Sequence, residues 1–121
     1  MSLLLLLTGS AGEPAPVPVW TTPADTVAMS ATPSLAFTIP ALASPMHFNM
    51  QLDTSNGFAT GDLRDISSKA DQSGWEYWDG GAWQALPEGG VDDAYGGNEA
   101  RYTVTADLAA GTWYRRVRAG T

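Results

Sequence analysis

Between residues 33 and 119 apolar side chains recur at every second position, and each run ends at glycine, proline or a polar turn. Met46, Phe48, Met50 and Leu52 alternate with His47, Asn49 and Gln51, the pattern of a strand with one face against a core. Leu35, Phe37 and Ile39 alternate with Ala36 and Thr38 until Pro40 stops the run. Trp75, Tyr77 and Trp78 lead into Asp79-Gly80-Gly81 and then Ala82–Leu86, a hairpin signal, because glycine supplies the positive φ that tight turns require. Tyr102 and Val104 alternate with Arg101, Thr103 and Thr105, and Trp113–Ala119 forms a last strand. Thr26–Ser30 is a shorter candidate. Strand breakers fill 53–74, a long connection or short edge strands, and 87–99 reads as loop. About seven strands and no helix predict an all-β, antiparallel β-sandwich.

Composition agrees with that pattern. The 121 residues fit one domain, 13 glycines and 8 prolines suit many turns, and 44% apolar residues suffice for one core. Six basic against thirteen acidic residues give a formal charge of −7, which repels phosphate backbones, so neither nucleic acid nor an anionic membrane is expected as a partner. With no cysteine and one histidine, disulfides, thiolate metal sites and cysteine nucleophiles are excluded, and no cofactor or metal is expected.

The amino-terminal region divides from the rest. Leu3, Leu4, Leu5, Leu6 and Leu7 make an unbroken apolar run within an arm strand over 1–8. The run is too short for a bilayer span, and no Lys or Arg precedes it as in a secretory signal. Since every position is apolar, it reads as a strand buried on both faces, with a short helix as the alternative because leucine is not a strong strand former. Residues 9–24 carry Pro14, Pro16, Pro18 and Pro23 and read as a semi-rigid connector rather than a ligand for proline-binding domains. Val19 and Trp20 mark where that connector docks on the body, residues 25–121.

In the last dozen residues, Leu108 is followed by the Gly111-Thr112 turn, then Trp113, Tyr114, Arg115, Arg116, Val117, Arg118 and Ala119. This stretch resembles the corner and penultimate strand of a fibronectin type III-like domain, and Pro33-Ser34-Leu35-Ala36-Phe37 resembles an early strand of such domains. The resemblance spans roughly 25–121. It implies an immunoglobulin/fibronectin III-like antiparallel β-sandwich with an N-terminal extended arm, in which Leu108 and Tyr114 form a structural corner. Tyr114 would lock that corner through its hydroxyl. The leucine opening, the proline connector and the Trp75–Trp83 stretch together resemble small structural proteins of tailed bacteriophages. That likeness implies a virion location, other virion proteins as partners, and repeated copies or a homo-oligomer on a symmetric particle.

One departure from the family pattern is informative. Only Gly120 and Thr121 follow the Trp113–Ala119 strand, where a complete domain of this type has a further strand. A sandwich without it exposes a hydrogen-bonding edge. The leucine run is the spare strand, which either supplies the edge, within its own chain or by donation to a neighbour, or packs at one end of its own core, so Leu3–Leu7 and Trp20 are candidate interface residues.

Other constellations carry less. His47 alternates with core positions and is expected to face solvent or the second sheet rather than to catalyse. Asp92 and Asp93 with Glu88 and Glu99 read as a solvated acidic loop more readily than as a calcium site. Arg115 is expected on the face opposite Arg116 and Arg118, these cations pairing with local carboxylates or contacting an acidic neighbour. Trp75, Tyr77, Trp78 and Trp83 crowd one hairpin but cannot all enter one core, so part of the group is a candidate protein interface or glycan surface. The expected function is therefore a non-enzymatic phage virion structural protein, a capsid decoration or tail/neck accessory subunit assembled through its arm. The alternative is a carbohydrate-binding adhesion module using the 75–83 hairpin.

Overall fold

The computed structural model describes residues 2–5, 19–22, 30–38, 45–91 and 99–120, the first two segments as backbone strands. Among these residues there is no helix, and nine strands follow in chain order. They are β1 (Ser2–Leu5), β2 (Val19–Thr22), β3 (Ser34–Thr38), β4 (His47–Asp53), β5 (Arg64–Ser67), β6 (Trp75–Trp78), β7 (Trp83–Ala85), β8 (Glu99–Thr103) and β9 (Thr112–Gly120). One sheet has the order β1-β9-β4-β5 and the other β2-β3-β8-β6-β7.

The period of two translates directly into burial. In β4, Phe48, Met50 and Leu52 are buried while His47, Asn49 and Gln51 are half-buried. In β9, Trp113, Arg115, Val117 and Ala119 face inward, and Tyr114, Arg116 and Arg118 face outward. The expected opposition of Arg115 to Arg116 and Arg118 is therefore present. The inner faces of the two sheets meet. Phe37 of β3 stands edge-on to Phe48 of β4 at 5.1 Å between ring centroids. Trp75 of β6 lies 6.0 Å from Phe48 and 5.1 Å from Tyr102. Each fully buried Leu, Phe or Met stabilises the fold by about 1.5–3 kcal/mol through the water it sheds.

Several features depart from the sequence reading. The described residues form nine strands rather than about seven. β2 lies inside the stretch read as connector, where Val19 and Trp20 pair with Thr38 and Phe37. β5 lies in the long 53–74 connection and is an edge strand, paired only with β4. The sandwich is not wholly antiparallel, because β1 runs parallel to β9 with Leu3 opposite Trp113 and Leu5 opposite Arg115. Two strands with most of the chain between them have no hairpin to impose an antiparallel order. Leu6, Leu7, most of Thr26–Ser30, Ile39, Asp92 and Asp93 lie outside the described residues.

Two backbone contacts brace the loops. Met46 and Val91 exchange hydrogen bonds of 2.8 and 3.0 Å, tying the start of β4 to the segment after β7. Gly90 allows this approach: its φ is +86°, and a Cβ there would lie 2.6 Å from the Met46 carbonyl oxygen.

Candidate functional site

The β6–β7 hairpin is built around Asp79. Its Oδ1 accepts the Gly81 and Ala82 amides, each at 2.8 Å, and its Oδ2 accepts the Gln84 side-chain amide at 3.0 Å. Gly80 takes the positive φ of +99°. Hydrogen bonds from Ala82, Gly81 and Gln84 hold the Asp79 carboxyl below its ordinary value, since they favour the charged form. The turn sets the register that places Trp78 opposite Trp83.

That register divides the four aromatics expected at this hairpin. Trp75 is 1% exposed and belongs to the core, and Tyr77 is half-buried against it. Trp78 and Trp83 lie on the outer face, half-buried, with ring centroids 5.5 Å apart in edge-to-face contact. Two residues from β6 and β8 complete the outer cluster. The Arg101 guanidinium lies 4.2 Å from the Trp83 ring centroid and donates to Glu76 Oε1 at 2.8 Å from both Nε and Nη2. Glu76 and Arg101 escaped the sequence reading because they meet only through the β6–β8 register, across 25 residues of chain. The alternation of Arg101 with Tyr102 is legible in the sequence, but its partner is not.

The outer face of the other sheet is polar. Asn49 donates to Asp65 Oδ1 at 2.8 Å, and the Arg116 Nε donates to Gln51 Oε1 at 2.5 Å. The Arg116 guanidinium also lies 4.2 Å from the ring centroid of Phe58, a buried residue with φ of +51° in the 54–63 loop. Asp53 organises this loop: its carboxylate accepts the Thr54 amide at 2.7 Å, the Thr60 amide at 3.0 Å and the Thr60 hydroxyl. Burial pushes the Asp53 carboxyl up, and the hydrogen bonds from Thr60 and Thr54 outweigh it, leaving a net downward shift. These oxygens are occupied by the loop itself.

His47 joins three segments. Its Nε2 lies 2.8 Å from the Glu88 carbonyl oxygen, which can only accept, so Nε2 donates there, and Nδ1 is hydrogen-bonded with the Ser68 hydroxyl at 3.0 Å. Ser68 is fully buried and its Oγ also accepts the Phe48 amide at 2.8 Å. This serine and histidine form an internal clamp, with the hydroxyl closed off from any substrate. Histidine thus bridges loops of its own chain rather than facing solvent alone.

At the corner, Leu108 is buried and its amide donates to the Ala31 carbonyl at 2.9 Å. Tyr114 falls on the outer face and is half-buried, opposite Leu4 of β1 and Asp53 of β4. The tethered indole at the corner is that of Trp113, 3% exposed, whose Nε1 donates to the Ala109 carbonyl at 2.9 Å. Alternation decides the exchange: Val117 and Ala119 must be inside, so Trp113 is inside with them. Arg64 packs beside it, 5.7 Å from the Trp113 ring, and donates to the carbonyls of Ala106 and Asp107.

Of the candidate interface residues, Leu3, Leu4 and Leu5 lie in β1 and Trp20 in β2, so they border different sheets. Among the described residues no group of His, Asp or Glu side chains is placed to hold a metal ion, and no helix is long and apolar enough to cross a membrane. The fold and site thus define an all-β protein of two packed sheets with one aromatic-cationic outer face. Comparisons with protein-family models, with curated proteins and with solved structures find no match to this chain.

Proposed function

We propose that this chain is a non-enzymatic structural subunit of a tailed-phage virion, an immunoglobulin/fibronectin III-like sandwich held to other virion proteins through its N-terminal arm strand. The observation that carries the reading is the pairing of β1 with β9 at the edge of its sheet. The strand orders support it: β2-β3-β8-β6 corresponds to A-B-E-D of an immunoglobulin-type sandwich, and β9-β4-β5 to F-C-C′. In that correspondence β1 takes the place of the G strand. A domain whose edge is filled by a detachable terminal strand suits assembly, because the same backbone hydrogen bonds can be made to a neighbouring subunit. Capsid decoration is the favoured role, and a tail or neck accessory the other.

The test is occupancy on purified particles, comparing the full chain with one lacking residues 1–12. Loss of the truncated protein from particles is the expected result. Equal occupancy, or absence of the full chain from particles, overturns the reading.

A second reading rests on the outer face of β6, β7 and β8. Trp78 and Trp83, flanked by Glu76 and Arg101, combine ring faces with hydrogen-bonding groups, the chemistry of a glycan-binding surface. Binding to an array of cell-surface glycans that is lost in Trp78→Ala and Trp83→Ala supports it, and an array with no binding removes it.

A further inference from the structure

We infer that β1 is an exchangeable strand, and that the β9 edge it occupies also accepts the Ser2–Leu5 strand of a second copy of this chain. Three observations carry this beyond the virion reading, which it does not require.

The first is the length of chain between the first two strands. β1 ends at Leu5 and β2 begins at Val19, so the thirteen residues 6–18 join them. β1 borders β9 in one sheet and β2 borders β3 in the other. Crossing between packed sheets is a distance of about 10 Å. Thirteen residues, with Pro14, Pro16 and Pro18 among them, reach ~40 Å at ~3.1 Å per residue. The linkage is several times longer than closure onto its own sheet needs, and long enough to reach the equivalent edge of a neighbour.

The second is how β1 is held. Among the described residues it pairs with β9 alone, along one side, over four residues, and in parallel register. No turn joins the two strands, so local geometry does not oblige a chain to use its own β1. The backbone hydrogen bonds are the same in either arrangement, and the choice rests on concentration: a linkage of this length presents the strand to its own chain at an effective concentration on the order of millimolar. Below that the chain closes on itself, and near or above it exchange competes, as it would among copies crowded on one lattice.

The third is the acceptor edge. β1 covers Thr112–Arg115, whereas β9 runs on to Gly120, and among the described residues Arg116–Gly120 pair with β4 only. The edge strand β9 thus extends beyond the four residues that Ser2–Leu5 pairs with.

The chain has no cysteine, so a single introduced pair reports who pairs with whom. Ser2 and Thr112 are register partners, as are Leu4 and Tyr114. Adjacent strands lie ~4.8 Å apart, within the ~4.4–6.8 Å between Cα atoms that a disulfide accepts. An isotopically labelled Ser2→Cys chain and an unlabelled Thr112→Cys chain would be refolded together and oxidised, and the crosslinked peptides identified by mass. Expected is a 2–112 disulfide between labelled and unlabelled chains, its fraction rising about tenfold or more from micromolar to millimolar protein. The double variant at micromolar concentration should close within one chain. A double variant that closes internally while the mixture gives no interchain 2–112 link at millimolar concentration overturns the inference. So does the absence of any 2–112 link, which would mean that β1 does not border β9. Should Thr112→Cys fail to fold, Leu4→Cys with Tyr114→Cys asks the same question. Crosslinking in solution without particle occupancy would overturn the virion reading and leave the exchange standing, and occupancy without crosslinking would do the reverse.

Discussion

Trp75 and Trp78 stand three residues apart on one strand, yet they belong to different environments. Trp75 is 1% exposed, with Phe48 and Tyr102 rings at 6.0 and 5.1 Å, and Trp78 lies half-buried outside the sheet against Trp83. Both clusters are aromatic, but the inner one is closed on all sides by both sheets, whereas the outer one is braced by a cation and an ion pair. Stability resides in the inner group, because desolvation there is complete. The outer group keeps ring area and charged atoms in reach of a partner at little cost to the fold.

The largest effect that would break this contrast is at Trp75. Trp75→Ala should cost about 3–5 kcal/mol in chemical denaturation, and a loss below about 1 kcal/mol would place the ring outside the core. Next comes Gly90→Ala, where a methyl group must occupy space 2.6 Å from the Met46 carbonyl oxygen at positive φ. A loss of about 2 kcal/mol or more is expected, with faster amide exchange at Met46 and Val91; an unchanged melt would show that the loop yields freely.

Trp75→Phe sharpens the comparison. The Trp75 Nε1 is buried with no hydrogen-bond partner among the described residues. Phenylalanine loses ring area but also removes that unmet donor, so the net loss should stay near 1 kcal/mol, well below that of the alanine variant. Smaller still is the effect on the outer face: Trp83→Ala should cost about 0.5–1 kcal/mol, since it removes one cation-π contact and half-buried area. A loss as large as that of Trp75→Ala would abolish the distinction between the two faces.

Acid provides a further check of the turns that hold the hairpin and the 54–63 loop. Asp53, Asp71 and Asp79 all titrate below their ordinary value in the folded chain, the Ser73 amide lowering Asp71. A carboxylate lowered by folding contributes stability that is present above its unfolded value of about 3.8 and is lost as the pH falls through the folded value. The melting temperature should therefore hold from neutral pH to about pH 5 and decline below about pH 4. In Asp79→Asn the fluorescence of the outer tryptophans should lose its part of that acid response, and an unaltered response would sever the turn from the face it sets.

Much of the architecture was legible in single segments. The alternation in β4 named its buried residues, and that in β9 set Arg115 opposite Arg116 and Arg118, because a strand's side chains take opposite faces whatever lies around it. Asp79-Gly80-Gly81 announced the hairpin for an equally local reason. β2 and β5 were less visible: Val19–Thr22 follows a proline ladder that reads as connector, and Arg64–Ser67 carries an arginine and an aspartate in four residues. Each becomes a strand because β3 or β4 offers it an unpaired edge.

The candidate site divides the same way. That Trp75 and Tyr77 share one face and Trp78 takes the other follows from chain geometry alone. That Arg101 settles over Trp83 and beside Glu76 follows from the pairing of β8 with β6, which no local pattern encodes. The same limit explains the corner: the family resemblance pointed to a leucine and a tyrosine, and the inward register of β9 adds a tethered Trp113. It also explains β1, whose apolar run announces a strand in need of cover without saying which edge receives it. Periodicity and turn chemistry are properties of neighbouring residues, and the sequence by itself determined them. Partner, register and direction belong to strands brought together from distant parts of the chain, where the burial of both sheets' inner faces selects one pairing among many, so the tertiary structure alone decided them.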